Sequence, residues 1–355
     1  MKLSTRLNGY FETTLANYLF VHLTEEDLEP MEDGEFLADV PLPLKEEEEE
    51  NLRQWAKTGE GEAVSPAKIA VNMAYVLGCN PEYPYKDAYL EFMKRLSPGG
   101  AMFGVLAKAA ETEADAGRLY AACIYFRAAL VLRGDDLKAM YGYAMALQGI
   151  YNGLLEGKDP AVAKQPEEVQ EIIIGNFKAE YICVLEEMTL EYPDFAEGFY
   201  FLGYAYLNMG LYIKADLTFR DFLKLATDAA QKDEIRRMRE QLKGPVEIEE
   251  GINCVISGRY DEGIEILEAH ADEPKAKEWW PLHYYLGEGY LACGRVEEAT
   301  AKLKRTLALN PAHMESMEDL VSIYEKNGDE TNAEKYRKKL KLIRSYEEED
   351  RQNNK

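Results

Sequence analysis

The side chains that most often carry covalent or metal chemistry are few in this sequence and lie far apart. The cysteines are Cys79, Cys123, Cys183, Cys254 and Cys293, and the histidines are His22, His270, His283 and His313. The cysteines are odd in number and form no CxxC pair, which argues against a disulfide scaffold or a zinc ribbon and for a reducing compartment. Each falls at a plausible core position of a helix, so we expect buried thiols rather than a Cys–His nucleophile.

Sequence motifs for catalysis and cofactor binding do not occur in the chain. It has no GxxxxGK[ST] phosphate loop, no GxSxG elbow and no HExxH zinc motif. Gly287-x-Gly289 resembles the start of a dinucleotide loop, but it lies inside a predicted helix with no strand before it. Carboxylates are too abundant for one pair to be singled out as acid and base. We expect no catalysis, no cofactor and no metal; a remote alternative is an enzyme with its site near the N-terminus.

The charge balance of the chain is strongly acidic. The 355 residues include 41 Lys and Arg against 65 Asp and Glu, a net charge of −24. Such a chain repels phosphates and anionic membrane surfaces, so nucleic acid and membranes are not expected as partners. Basic proteins or peptides would be attracted, although the same charge also serves solubility alone. The sequence shows neither a signal-peptide core nor about 18 consecutive apolar residues, which favours a cytoplasmic location.

Two segments of the chain share the same internal spacing of small, aromatic and apolar residues. The first has Leu202-Gly203, Tyr206, Gly210, Ala215 and Phe219, and the second has Leu286-Gly287, Tyr290, Gly294, Ala299 and Leu303. These segments begin at Ala196 and Trp280, and four more with similar spacing begin at Phe103, Leu137, Gly244 and Met314. In five of the six, a glycine that can adopt positive φ stands where a first helix would end: Gly117, Gly210, Gly258, Gly294 and Gly328.

This pattern resembles the tetratricopeptide-repeat family, in which each repeat is a helix–turn–helix of about 34 residues. The resemblance covers roughly residues 103–342 and points to no specific member. It implies an all-α fold, namely an α-solenoid of about six to seven helical hairpins wound into a right-handed superhelix. It also implies binding of other proteins rather than catalysis.

The organisation of the chain follows from where the repeats begin. Residues 1–65 are expected to form a helical and acidic N-terminal extension, since Leu3, Leu7, Phe11 and Leu15 fall on one helical face. We expect a helix pair, as a candidate degenerate repeat, at 66–102; the repeat solenoid at 103–346; and a polar tail at 347–355.

Two departures from the repeat spacing are visible. Glycines and prolines at about 149–171 predict an insertion that forms a long loop inside one hairpin. The polar stretch at 228–243 predicts an extended helix or an additional turn. The run Glu46–Glu50 resembles the acidic first turn of a further helix.

A binding groove can be assigned through the resemblance. In similar repeats the first helix lines a concave groove, and its inward positions correspond here to Tyr141, Met145, Tyr200, Tyr204, Leu207, Ile248, Ile252, Tyr284, Glu288 and Leu291. This set is apolar and aromatic, and tyrosine joins a large apolar face to a hydroxyl, a combination favoured at interfaces. It lacks the Lys, Arg and Asn that a clamp for a C-terminal carboxylate needs. The alternative is that these residues pack against the next repeat or the N-terminal segment.

The resulting functional hypothesis is a scaffold or adaptor that holds a peptide or protein segment, with a preference for basic partners, in this groove. A peptide-sensing regulator, of the kind built on similar repeats in Gram-positive bacteria, is the alternative. Such a regulator needs an effector domain, and residues 1–100 show no clear basic helix-turn-helix. The oligomeric state and the partner's identity stay open.

Overall fold

The fold of the described residues is almost entirely helical. A computed structural model describes residues 3–22, 37, 39–45 and 65–353, and every structural statement below refers to these. They form fifteen α-helices and one antiparallel pair of short strands. The predicted all-α class is confirmed. The predicted acidic turn at Glu46–Glu50 lies outside the described residues.

The helices are numbered here in chain order. In the first part of the chain they are α1 (Asn8–Glu12), α2 (Pro66–Cys79), α3 (Lys86–Leu96), α4 (Ala101–Asp115), α5 (Leu119–Leu132), α6 (Leu137–Leu155), α7 (Glu167–Glu191) and α8 (Ala196–Leu207). In the second part they are α9 (Tyr212–Leu225), α10 (Ala229–Ile256), α11 (Tyr260–His270), α12 (Trp280–Ala292), α13 (Val296–Leu309), α14 (Met314–Lys326) and α15 (Glu330–Asn353). The strands are β1 (Tyr18–Val21) and β2 (Leu42–Lys45).

The chain forms two compact units, Met1–Leu202 and Gly203–Lys355, which are described separately. In the first unit α4 packs on α5, α5 on α6, and α6 on α7, with the α2–α3 pair beside them. In the second unit each helix from α9 to α14 packs on the helix that follows it. Each unit is thus a row of consecutive helical hairpins, which is solenoid packing. The right-handed superhelix stays a prediction.

The turns inside the hairpins share one geometry. The glycine amide bonds to a carbonyl three residues back, and the next amide bonds to one five residues back; for Gly294 and Arg295 these hydrogen bonds measure 3.1 and 2.8 Å. This is the Schellman end of a helix, and it needs a left-handed residue. All five predicted turn glycines have positive φ. Gly157 makes a sixth such turn after α6, which was not predicted.

Contact between the two helices of a hairpin depends on a small residue facing a large one. A β-carbon added to Gly287 would lie 3.0 Å from the Leu303 side chain, and one added to Gly251 would lie 2.9 Å from that of Leu267. Gly203 faces Phe219 in the same way. In all three pairs the partners are 16 residues apart. The small residues of the repeat pattern therefore let the two helices of a hairpin approach closely.

The N-terminal segment is only partly the predicted helix. Helix α1 ends at Glu12 and a 3₁₀ turn follows at Thr13–Asn17. The hydroxyl of Thr14 donates to the Phe11 carbonyl at 2.7 Å, a local bond that competes with helix continuation. The sequence Tyr-Leu-Phe-Val of β1 then has high strand propensity and pairs antiparallel with β2. The prediction of a helix was thus wrong for the residues of β1.

The two irregular spacings have different structures. Helix α6 continues to Leu155, so the segment predicted as a loop at about 149–171 begins as helix, and α7 takes over at Glu167. The prediction of an extended helix at 228–243 is confirmed by α10, which has 28 residues and contains Pro245. Asp228 caps its N-terminus by accepting a hydrogen bond of 2.8 Å from the Gln231 amide.

Candidate functional site

Helix α12 is the first helix of its hairpin and presents two different faces. Pro281 stands in its first turn, where a missing amide hydrogen does no harm. Leu282 and Leu286 point into a core shared with α10 and α11. Tyr284, Glu288 and Leu291, which are partly buried, follow one another at helical spacing. They form the stripe predicted to line the groove.

A cavity of about 430 Å³ lies beside this stripe in the second unit. It is lined by Val255, Ile256, Tyr260, Tyr284, Tyr285, Glu288, Leu291 and Ala292. Ile256 and Tyr260 flank the turn between α10 and α11 and are 64% and 38% exposed. The rings of Tyr284 and Tyr285 meet edge to face, 5.2 Å between centroids. The cavity therefore combines apolar and aromatic walls with one carboxyl group, and we call it the α12 cavity.

The Glu288 carboxyl faces a second carboxyl, that of Asp319 on α14. One oxygen of Glu288, Oε1, is buried and has no hydrogen-bond partner. A hydrogen bond between the two carboxyl groups requires a proton on one of them. Burial, together with the charge of Asp319, raises the pKa of Glu288 to about 7. Burial likewise raises the pKa of Asp319. The pair therefore holds a proton at slightly acidic pH.

An aromatic cluster supports the outer end of α12. The His313 ring lies 4.6 Å from both the Trp280 and the Tyr284 rings, measured between centroids. His313 also caps α14, because its Nδ1 accepts a hydrogen bond of 3.2 Å from the Ser316 amide. Burial lowers the pKa of His313, which keeps the ring neutral and able to accept. Tyr284 is thus fixed by packing before any partner arrives.

The other predicted groove residues of the second unit lie in two settings. Ile248 is 6% exposed and belongs to the core, with Ile252 packed against the same cluster. The Tyr204 ring meets the Phe219 ring edge to face at 5.1 Å, and its hydroxyl donates to Glu234. Leu207 is partly buried at the end of α8. Of the predicted set, Tyr284, Glu288 and Leu291 are the residues that line the α12 cavity.

Two of the predicted groove residues of the first unit, Tyr141 and Tyr200, pack against phenylalanine rings. The Tyr141 ring contacts the Phe195 and Phe201 rings at centroid distances of 5.6 and 6.1 Å. The Tyr200 ring meets that of Phe201 at 5.4 Å. Met145 is partly buried on α6. These contacts leave each side chain a partly exposed face.

Six residues of the site were not predicted: Val255, Ile256, Tyr260, Tyr285, Ala292 and Asp319. Asp319 stands 34 residues after Tyr285, so it occupies the same repeat position, and a carboxylate there was a usable signal. Ile256 and Tyr260 are apolar residues on either side of a turn glycine, where polar residues are usual. That exposed pair could also have been found from the sequence.

The N-terminal segment docks through a buried polar network in the first unit. Arg127 on α5 is fully buried and donates to the Asn8 side chain at 2.6 Å and to the Tyr143 hydroxyl at 3.4 Å. Tyr143 donates to Glu180 on α7 at 3.1 Å, and Arg6 pairs with Glu180 at 3.2 Å. The described part of this segment is therefore bonded to α5 and α7, which are the second helices of the hairpins α4–α5 and α6–α7.

The five cysteines differ in their burial, and His283 lies in the protein interior. Cys79, Cys123 and Cys254 are buried, whereas Cys183 and Cys293 are exposed, contrary to the expectation that all five are core residues. Burial raises the pKa of Cys79 to about 12, so its thiol stays protonated. His283 is buried, with Nε2 2.8 Å from the Lys277 carbonyl oxygen.

The described residues contain no group of three or more His, Cys, Asp or Glu side chains placed to hold a metal ion. Among the helices of these residues, none combines the length and the apolar character needed to cross a membrane.

Comparison with known proteins gives low similarities. No protein-family model and no curated protein matches the chain. Among solved structures, MamA (41-end) from Desulfovibrio magneticus RS-1 is 17% identical, with a TM-score of 0.29 over 57% of this chain and 96% of that one. YrrB, described as a TPR protein with an unusual peptide-binding site, is 14% identical, with a TM-score of 0.30 over 60% and 89%.

A tetratricopeptide-repeat protein from Parabacteroides merdae is 15% identical, with a TM-score of 0.32 over 78% of this chain and 93% of that one. The similar structures are thus tetratricopeptide-repeat proteins. The hairpins of this chain have the turns and the glycine-to-large-residue contacts expected of this repeat type.

Proposed function

We propose that the protein is a non-catalytic interaction scaffold that binds a segment of a partner protein at the α12 cavity. The observation that carries the proposal is the exposure of Ile256 and Tyr260 beside the partly buried Tyr284 and Leu291. Apolar and aromatic side chains that line a concavity are typical of binding sites. Covering them with a partner removes this surface from water, which favours association.

The proposal concerns the second unit alone. Its helices already use one face for the core, as Leu282 and Leu286 show. The stripe of Tyr284, Glu288 and Leu291 is a second face that internal packing leaves partly open. Tyr284 is held by His313, so the site is preorganised and a partner loses little by ordering it.

The test is a selection of peptides from a random twelve-residue library by the immobilised full-length protein. Selected peptides are then titrated by fluorescence polarisation against wild type and the double variant Ile256→Ser, Tyr260→Ala. We expect enriched peptides whose affinity falls about tenfold or more in the double variant. Tyr346→Ala, which removes another exposed tyrosine from α15, is the matched control and should bind like wild type.

Circular dichroism of each variant verifies that helicity is retained. A selection without enriched peptides would contradict the proposal. So would peptides that bind the folded double variant as tightly as wild type.

A further inference from the structure

The charge of the α12 cavity is uncompensated. Among its eight lining residues the one with a formal charge is Glu288. Nearby arginines are engaged elsewhere: Arg259 pairs with Glu262 at 2.9 Å, and Arg295 with Glu298 at 3.1 Å. A cation that entered the cavity would therefore meet a carboxyl group without displacing a protein cation.

More negative charge lies behind Glu288. Asp319 contacts it directly, and the same helix, α14, carries Glu315 and Glu318 on its exposed side. Glu318 pairs with Arg344 on α15, whereas His313, which lies beside Asp319, is kept neutral by burial. Because like charges so close together repel, a positive group at the cavity lowers the energy of the whole set.

The residues that line the cavity suit both the cationic group and the aliphatic stem of a basic side chain. Tyr260, Tyr284 and Tyr285 surround the cavity with aromatic rings, which attract cations through their negative faces. Leu291 and Ile256 offer apolar surface to an aliphatic stem. A lysine or arginine side chain has both a cationic group and an aliphatic stem. An acidic side chain would be repelled by Glu288, and a purely apolar one would leave the Glu288 carboxyl without a polar partner.

We infer that the α12 cavity binds a lysine or arginine side chain of the partner segment, with the cationic group against Glu288 and the stem along Leu291 and Ile256. This inference rests on the proposed function and specifies the chemistry of the partner. Asp319 acts through Glu288: its charge holds the pair short of full ionisation until a cation arrives.

The experiment uses the peptides recovered by the selection described above. We expect a lysine or arginine at a fixed place in the enriched sequences. Replacing that residue in the peptide by methionine, and separately making Glu288→Gln in the protein, should each weaken binding about tenfold. Glu265→Gln, which removes an exposed carboxylate from α11 in the same unit, is the matched control and should change affinity less than about twofold.

Three results would overturn the inference while leaving the proposed function intact. The first is a set of peptides that lose affinity for the Ile256→Ser, Tyr260→Ala protein yet carry no fixed basic residue. The second is equal binding by wild type and Glu288→Gln. The third is displacement of the peptide by magnesium chloride, at an ionic strength matched with sodium chloride, which would assign the cavity to a metal ion. An absence of enriched peptides would remove the proposed function itself.

Discussion

Two carboxyl groups in contact make Glu288 the most unusual ionisable residue of the site. Its pKa is raised to about 7 by burial and by Asp319. Between the ordinary pKa of glutamate and this value, the folded protein holds a proton that the unfolded chain has released. Folding therefore takes up a proton, and the free energy of unfolding falls as the pH rises through this window.

Glu288→Gln should relieve this cost. At pH 8 the variant gains about 1–2 kcal/mol of unfolding free energy over wild type, after allowance for partial exposure of the pair. At pH 5 the difference shrinks, because wild type then carries the proton. Urea denaturation at both pH values measures it, with Glu265→Gln as the control. A variant less stable than wild type at pH 8 would contradict the raised pKa.

The buried network of Arg127 gives a second prediction at this scale. Arg127→Met removes the buried guanidinium that donates to Asn8 and Tyr143, and it leaves the 2% exposed Glu180 with the partly exposed Arg6 as its ion-pair partner. Breaking a buried ion network by removing one partner costs about 3–5 kcal/mol. Thermal unfolding followed by circular dichroism should show this loss. Arg118→Met, which removes an exposed pair with Glu113, should have a much smaller effect, and equal effects would refute the distinction.

The turn glycines define behaviour at the scale of the helical element. Gly294 has φ of 75°, and a β-carbon there would meet no atom within 4 Å. Gly294→Ala therefore tests backbone strain alone and should cost about 1–2 kcal/mol. Gly153→Ala, also in open space but inside α6 with negative φ, should be neutral or stabilising by up to about 1 kcal/mol. Chemical denaturation measures the free energy of unfolding of both variants. A Gly294→Ala protein as stable as wild type would contradict the left-handed turn.

The helical hairpins could be predicted from the sequence because each turn requires a residue type that few positions tolerate. The same reasoning missed Gly157, since it lies 20 residues after the start of α6, whereas Gly294 lies 14 after the start of α12. A helix that is longer than its relatives breaks the spacing on which repeat recognition depends. Strand β1 was missed because its partner β2 lies in a separate segment, and pairing across such a gap leaves no local pattern.

The site was predictable only as far as one helix determines it. Tyr284, Glu288 and Leu291 share a face of α12 by helical spacing alone. Ile256 and Asp319 come from neighbouring hairpins, so their contribution depends on how hairpins pack. Whether Ile248 is open or buried also depends on that packing, and the structure places it in the core.

At the scale of the whole molecule, the net charge of −24 acts on any basic partner before contact. The association rate of a lysine-bearing peptide should fall about tenfold when sodium chloride rises from about 0.02 to about 0.2 M, because screening shortens the reach of the field. Stopped-flow fluorescence measures this rate. The methionine version of the peptide should show a much weaker dependence, and equal salt dependence would exclude electrostatic steering.

The repeated Schellman turn has a consequence for how such a chain can change in length. Gly294 and Gly328 end their helices with φ of 75° and 72° and with the same pair of hydrogen bonds, and residues 295–328 number 34. An in-frame deletion of this stretch would join Gly294 to Asp329, a residue that already follows an identical turn. Genes of this kind can therefore lose or duplicate one hairpin by recombination between two glycine codons, without requiring any new backbone conformation at the junction.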